Sequence, residues 1–586
     1  MAYAAFLWIG EPPTVVAAAL ATGRLGASQI LRGSSKGWAI FADEVQPTVP
    51  LGEGRGLIVG DLFRKASGIS GDRPEIEDLA NRSNVTPERL AREFWGRYVA
   101  FLCDPQSGAL EVCRDPSGGL PCFHIRRQDL NMVFSDLGQL VALGLLEPRI
   151  DWAYVGHHIA YNGIRVARTG IEGVVEVLPG QVRRLAGREV SSRSFWRPAD
   201  FVAPPQQIHD PVAARQMLFE AIETSVERLA DANTAIVVEL SGGLDSSIVA
   251  MALRGRAATT AVNCTTSAPE GDERRYARQV AEAAGLPLRE RALDPLEIDF
   301  RRRPAPGMAR PGRTTVLQSV DAAFAREGEE LSATAFFNGT GGDSVFCYMT
   351  STAPAADRLL AQGLGPGFVA TVLDIAALTG STGWKVARLA LRIAFLRRAP
   401  SPIRASLEHL TPNFRPNGPD PRPWLEGLGR APPGRRRHVE AIAGLHGHVD
   451  GHDRNIVAPV IAPHAAQPVL EAVFRIPTWL WVAEGRDRAV ARQAYVDLLP
   501  TDVFNRRSKG RINRFIVEAY NANRAVIDDL LAAGVLARQG VIDMAAVRRT
   551  LGAPVDLDDA AFMSVIRLVD VELWAQGWLD AGADAS

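Results

Sequence analysis

The residues best suited to chemistry stand in a short turn of glycine, serine and aspartate near the middle of the chain, at 240–247. The β-branched run before it, 235–238, predicts a buried parallel strand, and residues 248–254 return to helical spacing. Glycine lets the backbone approach an anion closely, and the N–H groups and dipole of a helix N-terminus favour negative charge. The pattern therefore predicts phosphate binding through Leu240, Ser241, Gly242, Gly243, Asp245 and Ser246.

A second turn of the same kind follows the apolar residues 335–337. Its candidate binding residues are Asn338, Gly339 and Gly342, and its acid is Asp343. Two carboxylates brought to one sheet edge by two turns could hold Mg²⁺, which proteins bind through one or two carboxylates plus phosphate oxygens. The alternative is that each turn is an ordinary surface loop.

The first turn lacks the lysine of a P-loop and resembles the pyrophosphate loop of the N-type ATP pyrophosphatases. This family splits ATP into AMP and pyrophosphate while it activates a carboxyl or carbonyl group, and it includes asparagine synthetase, β-lactam synthetase and the lasso peptide cyclases. The resemblance implies ATP and Mg²⁺ as cofactors, with Asp245 and Asp343 as catalytic metal ligands. The stretch 506–510 resembles the family's lysine loop, so Lys509 is the third expected catalytic residue. A solvated basic loop is the alternative there.

The two halves of the chain differ in their patterns. Short apolar runs between Gly, Pro and Asp turns predict a β-rich first part, and alternating strands and helices predict a doubly wound parallel sheet after it. The stretches 96–101, 114–118, 134–136 and 178–180 resemble the glutaminase-like domain of asparagine synthetases. The expected α/β architecture is an Ntn-type sandwich at 1–200, a linker at 201–211 and an ATP-pyrophosphatase domain, like the adenine nucleotide alpha hydrolases, at 212–586.

Position 2 bears on ammonia production. Glutaminases of the family need cysteine as the first mature residue, whereas this chain has Ala2. The expectation is a domain without glutaminase activity.

Composition limits the partners. The net charge is −1 and charged residues make up 22% of the chain, so no global field recruits nucleic acid or an anionic membrane. No apolar run approaches the ~18 residues of a spanning helix, and membrane association is not expected. Five scattered cysteines indicate neither a disulfide framework nor a zinc site. The expected compartment is the cytoplasm.

Three later stretches, 467–471, 475–479 and 485–492, resemble the lasso peptide cyclases. Residues 458–460 replace the acidic stretch of the asparagine synthetases, which favours a peptide over aspartate as the substrate. The resemblance implies macrolactam formation in a precursor core peptide, with a leader peptidase and a leader-binding protein as partners. Thr340 stands where asparagine synthetase has Glu and β-lactam synthetase has Tyr, so no base for the amine is assigned.

Several alternatives stay open at this point. They are a small-molecule amide ligase of the β-lactam synthetase kind, a glutamine-hydrolysing asparagine synthetase, a non-catalytic scaffold and a tRNA-modifying enzyme. The Pro- and Arg-rich region 353–434 includes a basic amphipathic stretch at 384–398. It could bind a peptide, a partner or a membrane surface, or it could pack Leu389, Ile393 and Leu396 against the core.

Overall fold

The computed structural model describes residues 2–65, 79, 85–104, 106–161, 164–266, 272–304, 307–312, 314–397, 401, 403–447, 451–507, 513–555 and 561–583. The first part of the chain is rich in strands, as its turn-punctuated apolar runs predict. These are β1 Tyr3–Trp8, β2 Arg24–Leu25, β3 Gln29–Ser35, β4 Trp38–Asp43, β5 Thr48–Leu51, β6 Gly56–Arg64, β7 Phe94–Cys103, β8 Leu110–Arg114, β9 Phe123–Arg127, β10 Leu130–Phe134, β11 Val175–Glu176, β12 Gln181–Ala186 and β13 Glu189–Ser194.

The strands form two antiparallel sheets that pack face to face. One has the order β11-β9-β10-β1-β4-β3-β2, and the other has the order β13-β12-β8-β7-β6-β5. Strand β1 is buried on both faces: Tyr3 and Leu7 join the core between the sheets, whereas Ala4 and Phe6 face a core shared with the C-terminal helices. Side chains alternate across a strand, so a strand buried on both faces must be apolar throughout.

The rest of the chain is built around a parallel sheet. Its described strands are β14 Ile236–Glu239, β15 Thr259–Thr265, β16 Leu288–Ala292, β17 Ala335–Phe337 and β18 Val460–Ile461, in the order β16-β15-β14-β17-β18. Chain order reverses between β14 and β17, so the loops that follow these two strands meet at a topological switch point, where ligands bind in open α/β sheets. The predicted mixed α/β class is confirmed.

Helices surround the sheets. They are α1 Thr14–Thr22, α2 Pro87–Glu93, α3 Leu137–Ala142, α4 Trp152–Ala160, α5 Ala199–Val202, α6 Pro211–Asp231, α7 Leu244–Ala252, α8 Arg274–Ala284, α9 Thr314–Glu330, α10 Gly342–Val345, α11 Ala353–Gln362, α12 Pro366–Thr379, α13 Gly383–Leu396, α14 Pro433–Leu445, α15 Gln467–Arg475, α16 Ala489–Ala494, α17 Thr501–Asn505, α18 Asn513–Ala522, α19 Arg524–Ala532, α20 Val535–Arg538, α21 Met544–Gly552 and α22 Ala561–Asp580. Among the described residues, no helix has both the length and the apolar character needed to cross a membrane.

The expected linker is partly helical. Helix α5 ends inside it, and a 3-10 turn covers Pro204–Gln206. Helix α6 then begins at Pro211, where the Asp210 carboxylate accepts hydrogen bonds from two backbone N–H groups. The expected domain boundaries stay a prediction.

Polar contacts join the two parts of the chain. Lys65 Nζ lies 2.7 Å from a carboxylate oxygen of Glu471, to which Trp196 Nε1 also donates at 3.1 Å. Gln467 Nε2 donates to the Ala91 carbonyl at 2.7 Å. These contacts are half-buried or buried, so they fix how the strand-rich part sits on the parallel sheet.

The side of helix α13 that faces the core differs in part from the one expected from the sequence. Its core side consists of Val386, Ala390 and Ala394. Of the three larger side chains considered above, the half-buried Ile393 packs against the core, whereas Leu389 is half-buried and Leu396 is 64% exposed. The expected packing therefore holds for Ile393 and is wrong for Leu396. Small residues at 390 and 394 let the helix approach its neighbours closely.

Candidate active site

The first turn follows β14 and starts helix α7. The Asn263 side chain donates to the Leu240 carbonyl at 2.7 Å, which fixes the end of the strand. Gly242 has a φ of +74°, and a Cβ there would lie 2.7 Å from the Cβ of Tyr276. Both the backbone conformation and the space therefore demand glycine.

Serine hydroxyls close this turn. Ser241 Oγ and Ser246 Oγ are 3.0 Å apart, and the Ser241 N–H donates to Ser246 Oγ at 3.2 Å. The Gly243 N–H donates to Ser241 Oγ at 3.3 Å. The hydroxyls and the start of α7 thus form one compact group of donors, which is the arrangement that binds phosphate at helix N-termini.

The second turn follows β17 and packs directly on the first. The Asn338 side chain accepts a hydrogen bond from the Thr340 N–H at 3.1 Å and so shapes the turn. A Cβ on Gly339 would lie 2.6 Å from the Ser246 nitrogen, and one on Gly342 would lie 2.3 Å from Cγ of Asp245. The two glycines are needed because the turns touch.

Asp245 and Asp343 converge on one cation, the guanidinium of Arg488. Its Nη1 lies 3.2 Å from Asp245 Oδ1 and 2.7 Å from Asp343 Oδ1. Burial by itself lowers the pKa of Arg488, but the carboxylates of Asp245, Asp487 and Asp343 outweigh it and raise the pKa. The guanidinium also lies over the Tyr348 ring, 5.4 Å from its centroid.

Both carboxylates reach a single nitrogen, so both can reach a single metal ion. Carboxylate oxygens are the ligands that Mg²⁺ prefers, and Asp245 and Asp343 would hold it with Arg488 displaced. Arg488 has a φ of +51°, a sparsely populated conformation for a residue with a side chain. Spacing alone could not single out Arg488 among the arginines at 486, 488 and 492.

Two arginines tie the segment after α17 to the first turn. Arg492 donates to the Phe504 carbonyl at 2.8 Å and to the Arg506 carbonyl at 3.1 Å. Arg506 in turn donates to the Gly242 carbonyl at 3.1 Å and pairs with Glu273 at 2.6 Å. Lys509 lies outside the described residues, but the chain enters its stretch from a point bonded to the first turn.

The acids before α8 have partners within the protein. The Asp272 carboxylate accepts hydrogen bonds from the Arg274 backbone and side chain, and the side-chain bond lowers the pKa of Asp272 to about 2. Glu273 pairs with Arg506. Negative charge is favourable at a helix N-terminus, which is where Asp272 stands.

A groove of about 1180 Å³ is lined in part by Thr350, Ser351 and Thr352, which follow Tyr348 in the chain. Helix α13 supplies Lys385, Val386, Leu389, Arg392, Ile393 and Leu396 to its lining.

Its charges are mostly positive. Its charged lining residues in the described part of the chain are Lys385, Arg392, Arg397, Arg422, Arg436, Arg437 and Glu440. Apolar and cationic side chains thus share one large concave surface.

Comparison with known proteins assigns most of the second part of the chain to a family. No curated protein matches it. The solved structure of the allosteric regulatory enzyme of purine biosynthesis is 11% identical, with a TM-score of 0.20, and the match covers 51% of this chain and 82% of that one. Glutamine phosphoribosylpyrophosphate amidotransferase from B. subtilis, complexed with ADP and GMP, is 12% identical, with a TM-score of 0.19, and the match covers 50% and 65%.

Similarities this weak do not define a shared fold. The sequence profile of the asparagine synthase family, in contrast, matches residues 217–580, which include both turns, Arg488 and the stretch around Lys509. The chain therefore belongs to the asparagine synthase family.

Proposed function

We propose that this protein is an AMP-forming carbon–nitrogen ligase that closes a macrolactam ring in a precursor core peptide, as in lasso peptide biosynthesis. Family membership implies the coarser chemistry, ATP-dependent amide ligation, typically with Mg²⁺. The peptide and the ring are the proposed refinement.

The proposed reaction has two steps. A side-chain carboxylate oxygen of the peptide attacks the α-phosphorus of ATP, so that an acyl-adenylate forms and pyrophosphate leaves. The N-terminal amine of the same peptide then attacks the acyl carbon, so that an amide forms and AMP and a proton leave. Holding both ends of one peptide makes the second step intramolecular, which can be worth an effective molarity of roughly 10⁵ M or more.

The residues divide this work between them. The donors of the first turn would hold the pyrophosphate part of ATP at the start of α7. When bound between Asp245 and Asp343, Mg²⁺ would supply positive charge to the leaving pyrophosphate. Lys509 would stabilise the charge that grows on the α-phosphate and the acyl centre.

The observation that carries the choice of a peptide is the large groove lined by helix α13 and by Thr350, Ser351 and Thr352. Pockets for small ligands span about 300–1,000 Å³, whereas this groove encloses about 1180 Å³. Its leucine and isoleucine side chains suit apolar peptide residues, and its arginines suit carboxylates of the peptide. A small amino acid would leave most of it empty.

The strand-rich domain is proposed to make no ammonia. Cys113 and Cys122 are buried in its core, and burial raises the pKa of Cys122 to about 11. Such thiols are inert at neutral pH because the thiolate is the nucleophile. Glutamate release from glutamine by the purified protein would contradict the proposal that this domain makes no ammonia.

The test is a reconstitution with the full chain. Core peptides encoded by short reading frames beside the gene would be incubated with the protein, ATP and Mg²⁺, and analysed by mass spectrometry. The proposal expects loss of one water from the peptide together with equimolar AMP and pyrophosphate. Turnover of a small amino acid, with the peptides unchanged, would favour the small-molecule ligase instead.

A leader peptidase and a leader-binding protein are proposed partners, and adding them should allow the full precursor to be used.

A further inference from the structure

A second cavity lies between the strand-rich part and the parallel-sheet part, separate from Asp245 and Asp343. It has a volume of about 280 Å³. The strand-rich part supplies Arg97, Leu120, Phe123 and Arg165, and the loop before α9 supplies Met308 and Arg310. The proposed ligase reaction assigns no role to this cavity.

Its charge is strongly one-sided. Arg97, Arg165 and Arg310 are the charged residues among its described lining, and no described Asp or Glu lines it. A shared counter-ion, Glu176, is buried and is not among the lining residues. It accepts hydrogen bonds from Arg114 and Arg310 and lies 3.5 Å from Arg165. One carboxylate thus pairs with three guanidinium groups.

Arg97 and Arg310 have hydrogen-bonding capacity to spare within the described structure, although the carboxylates of Asp61 and Asp115 act on Arg97. Arg97 Nη1 is 3.8 Å from the Asp61 carboxylate, which is beyond hydrogen-bond distance. Nε of Arg310 is shielded from solvent and has no hydrogen-bond partner in the described structure. Buried charges are stable when they are paired, and no carboxylate is among the described lining residues, so an anionic ligand would stabilise Arg97 and Arg310.

We propose that this cavity binds a small organic carboxylate, with its carboxyl oxygens on Arg97 and Arg310 and its hydrocarbon part against Leu120, Phe123 and Met308. The guanidinium fork matches a carboxylate in geometry. The apolar walls favour an acid with a carbon skeleton. Inorganic phosphate would instead place its charged oxygens against these apolar side chains.

The position of the cavity links it to the second turn. A narrower cavity of about 50 Å³ shares Arg97, Gly119 and Val460 with it and reaches Asn338 and Thr340. A bound acid would therefore lie one small cavity away from the turn that carries Asp343.

The experiment is calorimetric titration of the full chain with glutarate, beside dimethyl glutarate and inorganic phosphate as probes. The proposal expects glutarate to bind, the neutral ester not to bind, and phosphate to bind more weakly. Arg310→Met should weaken glutarate binding by at least about tenfold, because it removes charged hydrogen bonds. Arg303→Met is the matched control, since Arg303 is an exposed arginine nearby that pairs with Asp580 instead.

Folding is checked by the melting temperature of each variant without ligand. If Arg310→Met does not fold because Glu176 loses a partner, Arg97→Met carries the same expectation. Absence of glutarate binding to the wild type, or equal binding to the wild type and the folded variants, would overturn the proposal. Tighter binding of phosphate than of glutarate would overturn the choice of ligand class.

Discussion

Asp245 and Asp343 are the residues on which the proposed chemistry depends most. Changing either to Asn keeps the size of the side chain and removes the charge that would bind the metal. We expect peptide-dependent exchange of pyrophosphate into ATP to fall by about 10²-fold or more, the usual effect of losing a main electrostatic contact in the transition state. Asp497→Asn, at an exposed position near α17, should exchange at the wild-type rate. Wild-type exchange in D245N or D343N would remove the metal assignment.

Arg488 holds two carboxylates together, and its removal leaves like charges facing each other. Arg488→Met should lower the stability of the protein by roughly 3 kcal/mol, since it removes a cation from the largely buried Asp245 carboxylate; the half-exposed Asp343 contributes less. Added Mg²⁺ should raise the melting temperature of this variant more than that of the wild type. Arg430→Met, at an exposed position, should change neither value. A variant that melts like the wild type and ignores Mg²⁺ would contradict the convergence of the two carboxylates on one cation.

The sequence allowed candidate residues to be chosen where a turn joins a strand to a helix. Asp245, Asp343 and their glycines could be chosen because turns between a strand and a helix leave few alternatives. Arg488 could not be chosen, because its contact depends on how α16 lies across the sheet. Tyr348 has no pattern around it that indicates a position beside that arginine.

At the scale of elements, the contact between the two turns is the feature that fixes the site. A Cβ on Gly342 would lie 2.3 Å from Cγ of Asp245, so Gly342→Ala must push the turns apart. We expect a stability loss of about 1–3 kcal/mol, typical of overpacking, and a large loss of pyrophosphate exchange. Gly444→Ala in α14, where a Cβ meets nothing within 4 Å, is the control and should leave both unchanged or slightly stabilise the helix.

Helix α13 lines the groove with one face only. Arg392→Glu reverses a charge inside the groove, and we expect the KM for the peptide to rise by about tenfold, because the loss of charge complementarity weakens association. The KM for ATP should stay the same. Arg388→Glu makes the same change on the same helix, at an exposed position that does not line the groove. Equal effects of the two variants would mean that the groove does not bind the peptide.

The presence of the central elements follows from periodicity: the strand–turn–helix units around the two turns are where the apolar spacing predicts them. The face that α13 buries was not predictable, because it depends on alanines that fit a neighbouring helix. The partly helical linker was likewise hidden by its prolines, which are compatible with the first turn of a helix as well as with an extended chain.

At the scale of the whole molecule, buried histidines make stability depend on pH. Burial lowers the pKa values of His438 and His446 to about 3 and that of His464 to about 4. The pKa of histidine in the unfolded chain is about 6.5. The contribution of these three rings to the free energy of unfolding is therefore full above that pH and is lost as the pH falls towards 4. Burial raises the pKa values of Asp115 and Asp357 to about 6, which opposes the loss over the lower part of this range.

The pKa is also lowered by burial for His124, His157 and His409 and raised by burial for Asp61, Asp136 and Asp453. We expect the melting temperature to fall between pH 6.5 and pH 4, since six such histidines act against five such aspartates. His464→Gln removes one titrating group and should make this fall shallower. His209→Gln, at an exposed position, should reproduce the wild-type slope. A melting temperature that rises as the medium is acidified would contradict the assignment of these rings as neutral.

The most direct measurement is a crystal structure of the full chain with Mg²⁺ and α,β-methylene-ATP. It should place the phosphates on the first turn and one metal ion in contact with both Asp245 and Asp343, with Arg488 moved away from its position between them. A nucleotide bound elsewhere, or a metal that contacts neither carboxylate, would contradict the central claim that these two turns form the activation site.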